Sequence, residues 1–200
     1  KLTRTEEDLI RKVSSQFSRT AVILNVGNII DMTDINRIAP DSVLYVWQGG
    51  MTGGKGTADV LTGKVSPSGK LPDTIAYKAS DYPSDANFGR EKNRDIYAED
   101  IYVGYRYFET FAKEKVLYPF GFGLSYTEFE IKTEKAEITE GAVKLSVSVK
   151  NIGSYKGKEV IEVYCEAPQG RLGKAARVLC GFEKTRELVP QEEQVVEIAV

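Results

Sequence analysis

The chain of 200 residues contains no histidine. Within these residues that excludes Ser-His-Asp and Cys-His catalysis and every His-ligated zinc site, since each needs an imidazole as base or ligand. Chemistry is left to carboxylates, tyrosines, lysines and 2 cysteines. Cys165 and Cys180 stand in separate strand-like runs, VIEVYC and RVLCGF, and two thiols do not make a Cys-only zinc site. They read as free, buried or half-buried thiols of a cytoplasmic protein, because disulfides are rare in that compartment. A bridge between neighbouring strands is the other reading.

An excess of one charge sign is missing too. Lys and Arg number 27 against 29 Asp and Glu, for a net charge of -2, and the signs are well mixed, which argues against nucleic acid as a partner. No run approaches the roughly 20 apolar residues that span a bilayer. The first residues, KLTRTEED, lack the apolar core of a signal peptide, so no membrane partner is expected. A hydrophobic fraction of 42% with 28% charged residues suits a globular chain of one large or two small domains. The chain begins with Lys1 rather than methionine; the expectation is a piece of something longer, or a chain whose upstream segment was removed.

What is present divides into two grammars. Thr5-Glu6-Glu7-Asp8 offers a capping hydroxyl ahead of Leu9, Ile10, Val13 and Phe17 at helical spacing, predicting an amphipathic helix over about 6–18. Residues 20–26, TAVILNV, and 42–47, SVLYVW, are apolar runs of strand length, the pattern of parallel strands covered on both faces. A short helix is expected over 29–38 between them. This is the order of a doubly wound α/β layer. From Glu128 onward, alternation at Phe129-x-Ile131, Val143-x-Leu145-x-Val147-x-Val149, Ile161-x-Val163-x-Cys165 and 195–200 reads as half-buried antiparallel strands. Five or six strands fit, whereas an immunoglobulin or fibronectin type III sandwich has about seven. The chain is therefore expected to stop inside that domain.

Between the α/β strands and the next connector lies GGMTGGKGTADVLTG, residues 49–63. Gly49-x-x-x-x-Gly54-Lys55 fits most of a phosphate-binding loop, but Gly56 stands where the magnesium-binding hydroxyl belongs and Thr57 follows one residue late. Two other readings fit: glycines that permit a tight turn, and a loop at a strand's carboxyl end lining a ligand crevice. A helix should begin at Thr57 and end at Gly63. Residues 81–94 read as a long exposed loop of functional or packing value, and Asp95–Tyr107 as either an edge strand or a short helix.

The densest feature is 97–129. It holds Tyr97, Tyr102, Tyr105, Tyr107, Tyr118 and Tyr126 of the 11 tyrosines, and Phe108, Phe111, Phe120, Phe122 and Phe129 of the 8 phenylalanines. Aromatic rings bury large areas, so the stretch reads as a joint between domains. Tyr118–Gly123, with one proline and two glycines, should be a packed turn. Its motifs DIYVGYRYFE and YPFGFGLSYTxF, preceded in order by Trp47, the glycine-rich loop, ADVLTGK at 58–64 and PSGKLP at 67–72, resemble glycoside hydrolase family 3, the β-glucosidase and β-xylosidase group.

That resemblance covers essentially the whole chain. It implies an α/β protein in which 1–126 correspond to the later half of the family's α/β sandwich domain and 127–200 to an incomplete fibronectin type III-like sandwich. It implies retaining hydrolysis of β-linked glycosides, with an aspartate nucleophile and a second carboxylic acid as proton donor, and no cofactor. The nucleophile of the family belongs to a (β/α)8-type barrel, and the acid precedes the segment that Leu2–Val13 resembles, so neither catalytic carboxylate is expected here. Many members carry a glutamate where this chain has Met51-Thr52. The implied partners are a β-linked oligosaccharide or glycoside and a barrel domain on the rest of the polypeptide or another chain. Four residues are candidates for substrate binding or a domain interface. Trp47 and Gln48 stand at a strand's carboxyl end, with a core tryptophan as the plainer alternative. Glu99 and Asp100 are adjacent acids of the kind that serve as acid and base; the plainer alternative pairs one with Arg106 or has it cap backbone amides.

Overall fold

The structure, a computed structural model, describes residues 2–200. They form two compact units, one made of the residues up to Thr57 together with Asp73–Phe120, the other of Ala58–Pro72 together with Gly121–Val200.

The first unit opens with helix α1, Arg4–Gln16. Its cap is Thr3, two residues ahead of the Thr5 expected: the Thr3 side chain accepts from the Glu6 amide and the Glu6 carboxylate accepts from the Thr3 amide, a reciprocal capping box. Both carboxylate bonds to Thr3 hold the Glu6 pKa below its ordinary value. Strands β1, Ala21–Leu24, and β2, Ser42–Tyr45, pair in parallel, with helix α2, Thr33–Ile38, between them in sequence. The expectation of two covered faces needs correction. Val22 and Leu24 are buried but Ile23 is 42% exposed, and α1 leaves Leu9 and Phe17 exposed. Residues 2–200 supply cover for one face of this pair.

Helix α3, Gly53–Leu61, begins four residues earlier than Thr57, because a 3-10 turn at Gly50–Thr52 runs straight into it. Strand β3, Ile75–Ala76, pairs antiparallel with β4, Val116–Tyr118. Helix α4, Tyr105–Phe111, settles the open choice over 95–107: turns occupy 98–101 and Gly104, at φ 59, starts the helix. Phe108 is its buried residue and clusters with Ala76 and Ala112, while the Tyr82 ring meets Phe108 edge-on at 5.3 Å.

The second unit is a β-sandwich of five strands. An antiparallel sheet in the order β5-β6-β9 combines β5, Phe129–Thr139, β6, Ala142–Asn151, and β9, Glu193–Ala199; a second pairs β7, Val160–Cys165, with β8, Val178–Lys184. Val147, Val149, Val196 and Ile198 from the first sheet and Ile161 from the second form one core with Leu188, as the alternation of apolar residues along the strands requires. β5 runs well past the expected Ile131 as a charged strand, with a register shift between Thr133 and Lys135.

Cys165 and Cys180 are free, as expected, but both are exposed rather than buried. Val163 faces Gly181 and Tyr164 faces Leu179 across a register shift, so Cys180 is the extra residue on its strand. Cys165 lies opposite Val178 and not opposite Cys180. Beside them an open apolar cavity of about 440 Å³ is lined by Val143, Leu145, Val163, Val200 and both cysteines. Among the described residues no helix is long and apolar enough to cross a membrane.

Candidate functional site

The carboxyl ends of the parallel pair β1 and β2 bring together Gly27, Asn28, Tyr45, Trp47 and Gln48, all in the first unit. The amide of Val46 donates to Leu24 at 2.9 Å, continuing the ladder one step past β2. Beyond it the chain bends sharply, because Trp47 adopts φ 52. A bulky residue in the left-handed region is costly and persists only where its surroundings hold it. Here the Tyr45 ring packs on the indole at 4.6 Å between centroids, and the Tyr45 hydroxyl donates to the Asn28 carbonyl at 2.8 Å, tying the two strand ends together. Burial pushes the Tyr45 phenol above its ordinary pKa. Gln48 lies over Gly27, where any Cβ would stand 2.9 Å from its Nε2. Only the far end of the exposed Gln48 side chain meets this position, so a small side chain at Gly27 would require that Gln48 move.

The glycine-rich segment that follows is a closed turn. The amide of Gly53 donates to Gly50 in the 3-10 turn, and a Cβ on Gly49 would stand 2.6 Å from the Gly53 Cα. A phosphate-binding loop leaves its amides open to converge on the anion, whereas this one uses the Gly53 amide internally. The tight-turn reading holds and the nucleotide reading is set aside. Met51 is fully exposed at its tip.

Glu99 and Asp100 stand in a turn ahead of α4. The Tyr102 amide donates to the Glu99 carbonyl at 2.8 Å, Asp100 is in the left-handed region at φ 49, and Glu99 is half-buried while Asp100 is exposed. Among the described residues no ion pair joins either acid to Arg106. The Arg106 Nε is buried without a hydrogen-bond partner and its guanidinium lies 6.0 Å from the Tyr105 ring centroid. Nor does any hydrogen bond or ring contact among the described residues link this pair of acids to Trp47 and Gln48. Among the same residues no cluster of Cys, Asp and Glu could hold a metal ion.

The aromatic stretch 97–129 contributes to both units, its residues up to Phe120 to the first and those from Gly121 to the second. In the first, Tyr102 meets Phe111 at 4.8 Å and Tyr105 meets Phe120 at 4.8 Å. These rings pack on one another and on α4.

Comparison with known proteins then decides the family. Residues 1–126 match the glycosyl hydrolase family 3 C-terminal domain, and residues 159–200 match the fibronectin type III-like domain. The chain belongs to glycosyl hydrolase family 3. A beta-glucosidase of Ruminococcus albus is 62% identical over 199 residues, which is 100% of this chain and 21% of that protein. Beta-glucosidase A of Butyrivibrio fibrisolvens is 48% identical over 217 residues, 26% of its length. Among solved structures, a beta-glucosidase from Paenibacillus barengoltzii superimposes with a TM-score of 0.96 at 50% identity, covering 100% of this chain and 22% of that one. Beta-glucosidase 3B from Thermotoga neapolitana in complex with glucose gives 0.92 at 39% identity, covering 28% of that chain. The family 3 chain described here thus spans 21% to 28% of these relatives, and its fold is the α/β domain followed by the fibronectin type III-like domain.

Proposed function

We propose that these residues are the non-barrel portion of a retaining β-glycosidase that hydrolyses β-linked glucosides or related glycosides, with the two catalytic carboxylates outside the chain. The observation that carries this reading is the 62% identity, over all of the chain, to a protein that is a beta-glucosidase and is nearly five times as long. The chemistry agrees with it: two carboxylates suffice for retaining hydrolysis, and histidine is not required.

In this reading the domains are 1–126 and 127–200, and the partner is a barrel domain, on the rest of the polypeptide or on another chain, that carries the nucleophile. Trp47, Gln48, Glu99 and Asp100 serve that partner or the glycoside rather than bond cleavage. The position of Trp47 and Gln48 supports this, since ligands of open α/β sheets bind outside the carboxyl ends of the strands, and the left-handed Trp47 is the kind of strained residue that gathers at binding sites. The same unit exposes Met51, Phe88 and Tyr97 at 105%, 85% and 90%, large apolar side chains of the kind a further domain would cover.

The test is turnover of a chromogenic β-glucoside by the complete protein and by residues 1–200 alone. Activity is expected in the first and none in the second. Turnover by purified 1–200 that disappears in Glu99→Gln or Asp100→Asn would overturn the assignment of the catalytic carboxylates elsewhere.

A further inference from the structure

The segment PSGKLP and the turn YPFGFG are far apart in sequence, yet they pair directly. The amide of Leu71 donates to the Phe122 carbonyl and the amide of Gly121 donates to the Leu71 carbonyl, each at 2.8 Å. Leu71 thus both donates to and accepts from the turn, through the successive residues Phe122 and Gly121. The turn's glycines make the approach possible. A Cβ on Gly123 would stand 2.2 Å from the Gly69 carbonyl oxygen, and one on Gly121, at φ +78, would stand 2.3 Å from the Glu162 carboxylate of β7. The turn is therefore enclosed by the 66–72 segment on one side and by the sandwich on the other.

The segment is also fixed to the sandwich without the turn. Ser66 Oγ donates to the Lys156 carbonyl at 2.7 Å, and Lys184 Nζ, from the end of β8, donates to the Ser68 carbonyl at 2.8 Å. Lys70 Nζ lies 2.8 Å from Glu159 beside the start of β7, with both side chains at most 20% exposed, and donates to Gly123 at 3.0 Å. Further along, the Tyr126 hydroxyl donates to the Val60 carbonyl at 3.0 Å. Backbone carbonyls receive most of these bonds, so the recognition depends on the path of the chain more than on the identity of its side chains.

We propose that residues 66–72 are a strap seated on the β7–β8 face of the sandwich, opening and closing together with that hairpin and not with the α/β half that precedes and follows them in sequence. The interaction surface is the strip formed by Lys156, Glu159, Glu162 and Lys184, and its occupant is the strap with the glycine turn between. The family match over 1–126 ends inside this unit, so the strap belongs to the family domain in sequence and to the sandwich in packing. Short polar segments with few apolar contacts ordinarily exchange as frayed loops; this one has two backbone bonds to the turn and a half-buried ion pair to hold it.

Hydrogen exchange of the complete protein tests the proposal. Gly123→Ala forces its methyl against Gly69 and is expected to speed exchange of the Leu71 and Gly121 amides and of β7 and β8 by about tenfold or more, the consequence of overpacking, with β1 and β2 unchanged. Lys184→Met, a milder change that leaves the turn intact, is expected to act in the same places more weakly. The proposal fails if either variant speeds exchange in the strap alone, or carries the effect into β1 and β2 while β7 and β8 stay protected.

Discussion

The side-chain amide of Asn151 donates to the Leu188 carbonyl at 2.9 Å, and both residues are fully buried. The same amide donates to Tyr155 at 2.7 Å, while its Oδ1 accepts from the Thr127 hydroxyl at 2.7 Å and the Gly153 amide at 3.1 Å. Leu188 in turn exchanges backbone bonds with Gly157. One asparagine thus satisfies four polar groups at the end of β6 where the chain leaves the sheet. Such a group is cheap when complete and costly when broken.

Asn151→Ala is therefore expected to destabilise the sandwich by about 3 kcal/mol or more, since each buried group left unpaired costs about 1–3 kcal/mol. Asn151→Asp keeps both acceptor contacts and loses both donor contacts, and is expected to be at least as damaging near neutral pH because it also buries a charge. Urea unfolding followed by β-sheet circular dichroism measures both. A loss below about 1 kcal/mol for the alanine variant would refute the role assigned to this network.

Trp47 gives a test of backbone strain separate from packing. Trp47→Gly and Trp47→Ala both remove the ring that meets Tyr45, but only glycine adopts φ 52 freely. The glycine variant is expected to be more stable than the alanine variant by about 1 kcal/mol, the scale of the left-handed penalty for a residue with a Cβ. Equal stabilities would mean that the bend does not persist in solution.

The strands and the sandwich were legible because burial writes its period into the chain: Val147 and Val149, Val196 and Ile198 alternate with exposed neighbours and all face one core. The first cap was misplaced by two residues because Thr3 and Thr5 are both hydroxyls ahead of an acid, and only Thr3 has Glu6 three residues on. The Asn151 network was not legible, since two of its four bonds, from Thr127 and to Leu188, form only through the tertiary fold. The exposed faces of α1 and β1 were missed because an apolar stripe states that cover is wanted and not which residues provide it.

For the carboxylates, the complete protein is expected to retain β-glucoside turnover within about tenfold in Glu99→Gln and Asp100→Asn, whereas removing a group that transfers the proton costs about 10²–10⁴-fold. The change should fall on KM if these acids contact the glycoside and on stability if they support a domain interface. A fall in kcat by three orders of magnitude, with the fold intact, would place the chemistry in this chain.

The exposed cysteines make a simple prediction. Cys165 and Cys180 are free and exposed, Cys180 at the register shift itself and Cys165 just beyond it. Two thiols per chain of residues 1–200 are expected to react with a chromogenic disulfide reagent without denaturant, and the same two should be counted after unfolding. Reaction of neither before unfolding would show that the β7–β8 hairpin is covered in solution.

Tyr82 carries a pH dependence that can be worked out in sign. Its hydroxyl donates to the Thr74 carbonyl at 2.7 Å and accepts from the Ala76 amide at 2.9 Å, clamping the chain where β3 begins. Burial raises its pKa above the ordinary 10.0, outweighing the Ala76 hydrogen bond that lowers it, and the negative charge of Asp73 pushes in the same direction as burial. A raised folded-state pKa means that the folded chain holds this proton more tightly than the unfolded chain. The stabilisation is thus fully present below pH 10.0 and is lost as pH rises through the folded value. Tyr82→Phe leaves the Ala76 amide and the Thr74 carbonyl without their partner and is expected to cost about 1–3 kcal/mol at neutral pH. Above pH 10.0 the gap between the two proteins should narrow, because the unfolded wild type releases the phenol proton that the folded chain still holds. Urea midpoints measured at neutral pH and at about pH 11 decide it: a gap that stays constant or widens would show that folding does not raise the pKa of this phenol.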